Sequence, residues 1–292
     1  MSDIRIGVIG GSGLYDMETL EVLEERIVET PFGAPSDPYV IGELDGRKVA
    51  FLARHGKGHR LLPTELNYRA NIFGFKLLGV ERILAVGAVG SLQEKYPPGQ
   101  VVVPDQFIDR TRHRPDTFFG DGLVVHVSLA DPICPELAEC FFEAGREAGA
   151  DTHRGGTYVC MEGPQFSTRA ESFLYRSWGA DVIGMTNLQE AKLAREAEIC
   201  YATLAMITDY DCWREEEEAV SVEAVLEILR QNSRRAQDIV RRVVARLPEN
   251  RGGSCACAEA LRTALITDPA SVPEATLARL RPLVGKYFPD RS

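Results

Sequence analysis

The run Ile199-Cys-Tyr-Ala-Thr-Leu-Ala-Met-Ile207, with Thr208-Asp-Tyr-Asp211 directly after it, decides how this chain is interpreted. An uncharged run bounded by polar residues predicts a strand buried on both faces of a sheet. In extended chain, residues i and i+2 point to the same side, so Asp209 and Asp211 are expected to crowd two carboxylates at the end of that strand. Aspartates at strand ends also bond turn backbone, and this alternative stays open.

Short apolar runs alternate with amphipathic segments along the chain, which is typical of an α/β domain with a largely buried sheet. The predicted strands are residues 4–9, 38–42, 48–53, 82–87, 100–103, 156–160, 181–184 and 199–207. The predicted helices are residues 64–78, 135–148, 168–177, 187–197 and 222–246, the last with Ser221 as its N-cap. A breaker-rich stretch then predicts one domain of residues 1–247 and a linker with a helical extension over residues 248–292.

Composition excludes several classes of function. The chain has 292 residues, of which 45% are hydrophobic, and its formal net charge is −10. An acidic chain of this kind is a poor nucleic-acid binder, so no nucleic-acid partner is expected. Because the sequence has neither an apolar run near the roughly 20 residues of a spanning helix nor a signal peptide, we expect a cytoplasmic protein without a membrane partner.

A glycine-rich turn predicts an anion site near the start of the chain. In Ile6-Gly-Val-Ile-Gly-Gly-Ser-Gly-Leu14 a strand runs into glycines whose backbone N–H groups suit an anion, and Ser12 adds a hydroxyl. The dinucleotide fingerprint fails because Asp16 stands where its third glycine belongs. The Lys-Ser/Thr pair of a P-loop is also absent, so phosphate alone is the expected ligand.

A second strand ends in Arg54 and His55, whose donors suit phosphate oxygens. A structural ion pair is the alternative for Arg54. A metal site using His55 and His59 is disfavoured because the intervening glycines oppose helical geometry and no third ligand is apparent, so no metal is predicted. A third strand-to-glycine transition, residues 83–92, is expected to bring further backbone donors to the same end of the sheet.

Ordered motifs run from residue 4 to residue 245, among them Gly10-Gly-Ser-Gly13, Arg54-His-Gly56, Asn67-Tyr-Arg-Ala-Asn71, Glu162-Gly-Pro-Gln-Phe166 and Thr208-Asp-Tyr-Asp-Cys-Trp213. In this order they resemble the purine nucleoside phosphorylase family, and within it most closely the branch that cleaves S-methyl-5'-thioadenosine. The resemblance implies a single α/β domain with a central mixed, partly barrel-like sheet flanked by helices. It also implies a homotrimer or a dimer of trimers.

The resemblance assigns roles to named positions. The phosphate site would consist of Ser12, Arg54, His55, the backbone of Ala88, and Thr186. The nucleoside would contact Phe166 at the base, Met185 at the ribose, and Ser167, Asp209 and Asp211 at the purine. The 5' substituent would be surrounded by Val222, Leu226 and His126, the histidine coming from a neighbouring subunit. No cofactor is implied, since inorganic phosphate is a co-substrate.

The implied reaction is phosphorolysis of an N-glycosidic bond. Positive charge builds on the sugar, so phosphate acts both as nucleophile and as counter-charge. We expect Asp209 to protonate the leaving purine at N7 and Asp211 to support it. A 6-amino group can donate to these carboxylates whereas a 6-oxo group cannot, so 6-aminopurines are favoured.

Three positions depart from the family pattern: Gly87 stands for a usual threonine, Gln165 for an arginine and Gln189 for a proline. Relatives that prefer 6-oxopurines carry glutamate at Ser167 and asparagine at Asp209, which disfavours that specificity here. A broad-specificity enzyme that also cleaves adenosine or inosine is the main alternative. A nucleoside hydrolase and a non-catalytic nucleoside sensor are two others. The acidic run of residues 215–218 is expected to be a solvated loop or a flap over the 5' group.

Seven cysteines are present. Five are expected to be buried, reduced thiols: Cys134, Cys140, Cys160, Cys200 and Cys212. Cys255-Ala-Cys257 lies beyond the glycine linker and outside the expected active site. Some family members carry a disulfide at a similar place, but so small a ring is strained, so free thiols are expected in a reducing cytosol. A metal is disfavoured at this pair because only two ligands are expected nearby.

Overall fold

The computed structural model describes residues 4–11, 14, 17–214, 222–251 and 255–289, with the side chains of residues 222–232 left undescribed. One mixed sheet contains eleven strands. The strands are β1 Ile6–Gly10, β2 Leu20–Arg26, β3 Tyr39–Leu44, β4 Arg47–Ala53, β5 Arg82–Ser91, β6 Val101–Val103, β7 Gln106–Arg110, β8 Thr152–Arg154, β9 Thr157–Met161, β10 Val182–Gly184 and β11 Cys200–Asp209. The helices are α1 Tyr68–Leu77, α2 Pro135–Glu147, α3 Arg169–Ser177, α4 Asn187–Glu196, α5 Val222–Arg246 and α6 Glu274–Val284.

The sheet branches at β5, and this branching positions the site. Strand β5 runs parallel to β1 and β11 and antiparallel to β10. On its other side β1 runs parallel to β4. Because four parallel strands (β4, β1, β5 and β11) point the same way, their carboxyl ends meet at one edge of the sheet, where open α/β folds bind ligands.

The local sequence explains the regular elements. Every residue of β1, and every residue of β11 before Asp209, is buried, as expected for apolar runs covered on both faces. Helix α1 begins after Asn67, whose side chain accepts from the Ala70 backbone N–H. Helix α3 begins with a capping box formed by Thr168 and Glu171.

All eight predicted strands and all five predicted helices are present, with ends shifted by a few residues. Three strands were missed: β2, β7 and β8. Strand β2 is an edge strand whose sequence, Leu-Glu-Val-Leu-Glu-Glu-Arg, is almost wholly exposed, so it has no apolar alternation to detect. Strand β8 has three residues. The predicted N-cap Ser221 lies outside the described residues.

The C-terminal extension packs on the same core as the sheet. Its apolar side chains, among them Leu261, Leu277 and Leu280, belong to the cluster that also contains those of β1 and β11. Buried Glu198 adds polar contacts: its Oε1 accepts from the Tyr287 hydroxyl at 2.6 Å and from the Leu261 N–H at 3.1 Å. In the described part of the chain, no helix has the length and apolar character needed to cross a membrane.

Candidate functional site

Arg54 joins the carboxyl ends of three neighbouring strands. Its backbone N–H donates to the Gly10 carbonyl of β1 at 2.9 Å. Its Nη1 donates to the Val86 carbonyl of β5 at 2.8 Å. The side chain is only 3% exposed although it is charged. A guanidinium held at this depth needs a counter-ion.

Glu190 of α4 is that counter-ion. Arg54 Nε donates to Glu190 Oε1 at 2.5 Å and Nη2 donates to Oε2 at 3.0 Å, a two-pronged ion pair with both side chains buried. Burial lowers the pKa of Arg54, but pairing with Glu190 raises it above the usual range. With a longer contact from Nη2 to the Ile9 carbonyl, four of the five guanidinium N–H groups are used. Among the described residues one N–H, on Nη1, is left for a ligand.

A buried polar network extends from Glu190 into the sheet. The Tyr201 hydroxyl donates to Glu190 Oε2 at 2.8 Å, and Asn187 Nδ2 donates to that hydroxyl at 2.9 Å. Asn187 Oδ1 in turn accepts from the Tyr158 hydroxyl at 2.9 Å. These residues fix Arg54 but were missed in the sequence, where Glu190 looks like any helix carboxylate. The sequence did offer one indication: an arginine at the end of a buried strand, Arg54, needs an acidic partner.

His55 is held in a defined tautomer. Its Nδ1 lies 2.9 Å from the Leu61 carbonyl, which only accepts, so Nδ1 carries the proton. Burial lowers the pKa of His55 to about 4. The ring is therefore neutral near pH 7 and presents Nε2 as an acceptor. His55 also stacks on His59, with ring centroids 4.3 Å apart.

The N-terminus of α4 lies against β5. A Cβ added to Gly87 would stand 3.6 Å from Asn187 Oδ1 and 3.7 Å from Arg54 Nη1, so the strand, the arginine and the helix start are neighbours. Thr186 is the buried N-cap of α4, and its side chain makes no capping hydrogen bond. Three predicted phosphate-site residues, Arg54, Ala88 and Thr186, are thus close to one another. Ser12 lies outside the described residues.

Asp209 and Asp211 come together, though by a different geometry from the one expected. Strand β11 ends at Asp209, and Asp211 has a left-handed φ of 53° in a turn, so the extended alternation does not continue. Asp209 Oδ1 accepts from the Asp211 backbone N–H at 2.7 Å. Both aspartates flank Gly90, where an added Cβ would lie 2.9 Å from Asp209 Oδ1 and 3.3 Å from Asp211 Cβ. Burial raises the pKa of Asp211.

The segment after β9 packs against this turn. Cys212 Sγ donates to the Ser167 carbonyl at 3.3 Å, and the nearby Ser167 side chain lowers the pKa of Asp211, against the larger effect of burial. Phe166 is 42% exposed, which leaves its ring open to a planar ligand. Half-buried Met185 lies beside Gly163, where an added Cβ would be 2.6 Å from its sulfur. Four of the predicted nucleoside contacts, Ser167, Asp211, Phe166 and Met185, therefore line one wall.

Arg114 supports that wall and was also missed. Its Nη1 donates to the Met185 carbonyl, to the Tyr68 hydroxyl at 3.0 Å and to Gln189 Oε1 at 3.0 Å. Its Nε pairs with Glu162 at 3.2 Å. Gln189, noted as a departure from the family pattern, is fully buried and gives Arg114 an acceptor that proline lacks.

The predicted contacts to the 5' substituent are only partly described. His126 is exposed, and its backbone N–H donates to the Ala264 carbonyl of the C-terminal extension at 2.9 Å. Val222 and Leu226 lie in α5, but their side chains fall outside the described residues. The same holds for the acidic run of residues 215–218.

The cysteines include one arrangement that the sequence did not suggest. All seven are free thiols, and Cys134, Cys160 and Cys200 are buried as expected while Cys140 and Cys212 are half-buried. Cys134 and Cys200 meet Cys255 and Cys257 in one buried group, with all four sulfur atoms within 4.8 Å of one another. The expectation that only two ligands lie near the C-x-C pair is therefore wrong.

Comparison with known proteins identifies the family of the chain. The model of the family described as the phosphorylase superfamily matches residues 5–245. The chain belongs to the phosphorylase superfamily. Within the superfamily it is 60% identical, over 98% of both chains, to a protein of Koribacter versatilis named S-methyl-5'-thioadenosine phosphorylase.

Solved structures of the superfamily share the fold. A methylthioadenosine phosphorylase from an antarctic soil metagenomic library is 51% identical, with a TM-score of 0.91 over 96% of this chain and 98% of that one. A methylthioadenosine phosphorylase from Schistosoma mansoni, solved in complex with adenine, is 40% identical, with a TM-score of 0.80 over 83% of this chain and 91% of that one.

Proposed function

We propose that this protein cleaves S-methyl-5'-thioadenosine with inorganic phosphate, giving adenine and 5-methylthioribose 1-phosphate. The observation that carries the proposal is that one edge of the sheet places a basic group and a pair of carboxylates close together along β5. Arg54 and the N-terminus of α4 lie beside Gly87, and two carboxylates flank Gly90, three residues further along the same strand. High identity to phosphorylases named for this substrate supports the same reaction.

Phosphate binds at the Gly87 end. Arg54 supplies charge and the remaining Nη1 proton, Ala88 supplies its backbone N–H, and Thr186 supplies its hydroxyl. The N-terminus of α4 adds a favourable dipole for an anion. Ser12 completes the set from the glycine-rich turn.

His55 acts as an acceptor in this site. Because Nδ1 is committed to the Leu61 carbonyl, the neutral ring meets phosphate with Nε2. Both phosphate ions present near pH 7, the monoanion and the dianion, carry a P–OH group, and that hydroxyl donates to Nε2. His55 thereby orients the nucleophile without adding charge.

Bond cleavage uses both ends of the site. Phosphate attacks C1' of the sugar as the bond to the purine breaks, and the electron pair of that bond leaves with the base. A carboxylic acid at Asp209 protonates N7 of the departing purine. Burial raises the pKa of neighbouring Asp211, and two close carboxyl groups titrate as a pair.

The nucleoside lies along the wall described above. Phe166 stacks on the base, Met185 contacts the ribose, and Ser167 faces the purine. The 5' methylthio group is enclosed by Val222, Leu226 and His126. Phosphate is a co-substrate and the cleavage needs no cofactor; the protein acts in the cytoplasm.

His126 reaches the site from a second subunit, and the assembly is a homotrimer or a dimer of trimers. Exposed apolar side chains on and just after α3, namely Phe173, Leu174 and Trp178, support association with another copy. Activity is therefore expected to fall as the oligomer dissociates on dilution, measured by turnover alongside sedimentation. A fully active monomer at a verified concentration would contradict the shared site.

The direct test compares kcat/KM for S-methyl-5'-thioadenosine, adenosine and inosine, with and without phosphate. The expected order is methylthioadenosine first, with inosine far behind and no turnover without phosphate. Comparable rates for adenosine or inosine would favour a broad-specificity phosphorylase. Free pentose instead of pentose 1-phosphate in the product mass spectrum would indicate a hydrolase. Purine binding without turnover would indicate a sensor.

Gly87→Thr is expected to tighten phosphate binding. The nearest atoms to an added Cβ lie at 3.6 and 3.7 Å, which is ordinary contact, so the backbone position admits a Cβ. One added hydrogen bond of about 1 kcal/mol lowers the phosphate KM by roughly fivefold. Gly87→Val is the matched control of similar shape without the hydroxyl. An equal effect of both variants would show that the hydroxyl does not reach phosphate.

A further inference from the structure

Four cysteine thiols, none of them used by the proposed reaction, converge in the core beneath the C-terminal extension. Cys200 begins β11, Cys134 is the N-cap of α2, and Cys255 and Cys257 flank the start of a short 3₁₀ helix in the extension. All four are buried. Four sulfur-bearing side chains from three chain segments thus meet at one point in the core.

Their spacing matches a tetrahedral metal centre. The Cys200 and Cys255 sulfurs are 3.2 Å apart, those of Cys134 and Cys255 are 3.9 Å apart, and all six pairs lie within 4.8 Å. A tetrahedron with Zn–S bonds of about 2.3 Å has sulfur–sulfur edges of about 3.8 Å. The one-residue spacer of the C-x-C pair is shorter than the two to four residues usual in zinc sites, but the sulfur positions still bracket that edge.

The surroundings suit thiolate ligands. Cys134 sits at the N-terminus of α2, where the helix dipole favours negative charge, and its side chain makes no capping bond. Four soft thiolates with no oxygen or imidazole donor select zinc or another thiophilic ion over magnesium or calcium.

We propose that Cys134, Cys200, Cys255 and Cys257 bind one Zn²⁺ ion as a closed, four-coordinate structural site. The four ligands come from three separate chain segments, so the ion ties the C-terminal extension to β11 and α2. All four positions are filled by protein, which leaves no open coordination site for substrate or water. The ion therefore stabilises the fold and takes no part in phosphorolysis.

The first test uses the full-length wild-type chain. Protein produced with zinc and purified in reductant is expected to hold one zinc per chain by mass spectrometry of the metal. X-ray absorption is expected to show four sulfur neighbours at about 2.3 Å. Chain that remains metal-free after dialysis against Zn²⁺, with four alkylatable thiols or with disulfides joining these cysteines, overturns the proposal. This result does not depend on any variant folding.

Variants assign the ligands. Cys257→Ser and Cys134→Ser are each expected to weaken zinc binding by more than about 100-fold in chelator competition. Losing a group that only supports a ligand costs roughly 10–100-fold in metal affinity, and losing the ligand itself should cost more. Cys140→Ser is the matched control, since Cys140 lies on α2 outside the group, and it should hold zinc normally. Zinc retained by both ligand variants would contradict the assignment. Removal of zinc should lower the thermal unfolding temperature of the wild type, and an unchanged temperature would contradict its structural role.

Discussion

Asp209→Asn is expected to reduce kcat for S-methyl-5'-thioadenosine by about 10²–10⁴-fold, because an amide has no proton to give to purine N7. The local fold should survive the change. An asparagine oxygen can still accept from the Asp211 N–H, and its NH₂ can donate to the Thr208 hydroxyl, which also contacts the Val89 carbonyl. The KM for phosphate should change little, since phosphate is proposed to bind at the other end of the site, near Gly87. Steady-state kinetics measures both constants.

The same variant should narrow the preference against inosine. An amide N–H can donate to the purine 6-oxo group, which carboxylates cannot do when ionised. Asp211→Asn is the matched control, because it alters the neighbouring carboxyl without removing the assigned proton donor, and its loss in kcat should be smaller. An unaltered ratio of adenine to hypoxanthine nucleosides in Asp209→Asn would remove the role assigned to this residue.

Arg54→Ala is expected to act on both stability and kinetics. It leaves Glu190 buried without its partner, which costs about 3–5 kcal/mol in the free energy of unfolding. It should also raise the phosphate KM and lower kcat, because the guanidinium both holds and orients the nucleophile. Lysine should rescue only partly, since it lacks the planar fork that grips Glu190. Denaturant unfolding and phosphate kinetics measure the two effects separately.

A double variant separates the structural role of Arg54 from its role in phosphate binding. Arg54→Ala combined with Glu190→Gln removes the unpaired charge while keeping an acceptor for the Tyr201 hydroxyl. Stability should recover in part, but the phosphate KM should stay high. If the phosphate KM returned to the wild-type value together with stability, the arginine would serve only to hold the fold.

The regular elements could be predicted from the sequence where burial leaves a periodic signal. The uncharged run of β11 and the apolar face of α5 were found in this way. Strand β2 was missed because the edge of a sheet exposes almost all its residues to water and so needs no apolar alternation. Strand pairing, and with it the branching at β5, depends on contacts between distant segments that local patterns do not carry.

The candidate site shows the same division. Arg54 and His55 were placed correctly at a strand end because apolar-to-polar transitions are local. Glu190 was missed because its burial depends on how α4 packs on the sheet. The cysteine group was missed for a similar reason: its three segments are far apart in the chain, and only the docked extension brings them together. The left-handed turn at Asp211 also lay beyond an argument from strand alternation.

In the proposed reaction, strand β5 sets the distance between the phosphate site and the two aspartates. Its backbone passes Ala88, in the proposed phosphate site, and two residues later Gly90, which lies beside Asp209 and Asp211. With about 3.3 Å per residue, these positions lie roughly 7 Å apart along a stretch of β5 that pairs with β11. In the proposed reaction this distance is spanned by the line from the attacking phosphate oxygen through C1' of the sugar to the leaving purine. Substituents at the edge of the base or at the 5' carbon can vary without changing this distance. A bulge in β5 between Ala88 and Gly90 would instead misalign the nucleophile and the leaving group together.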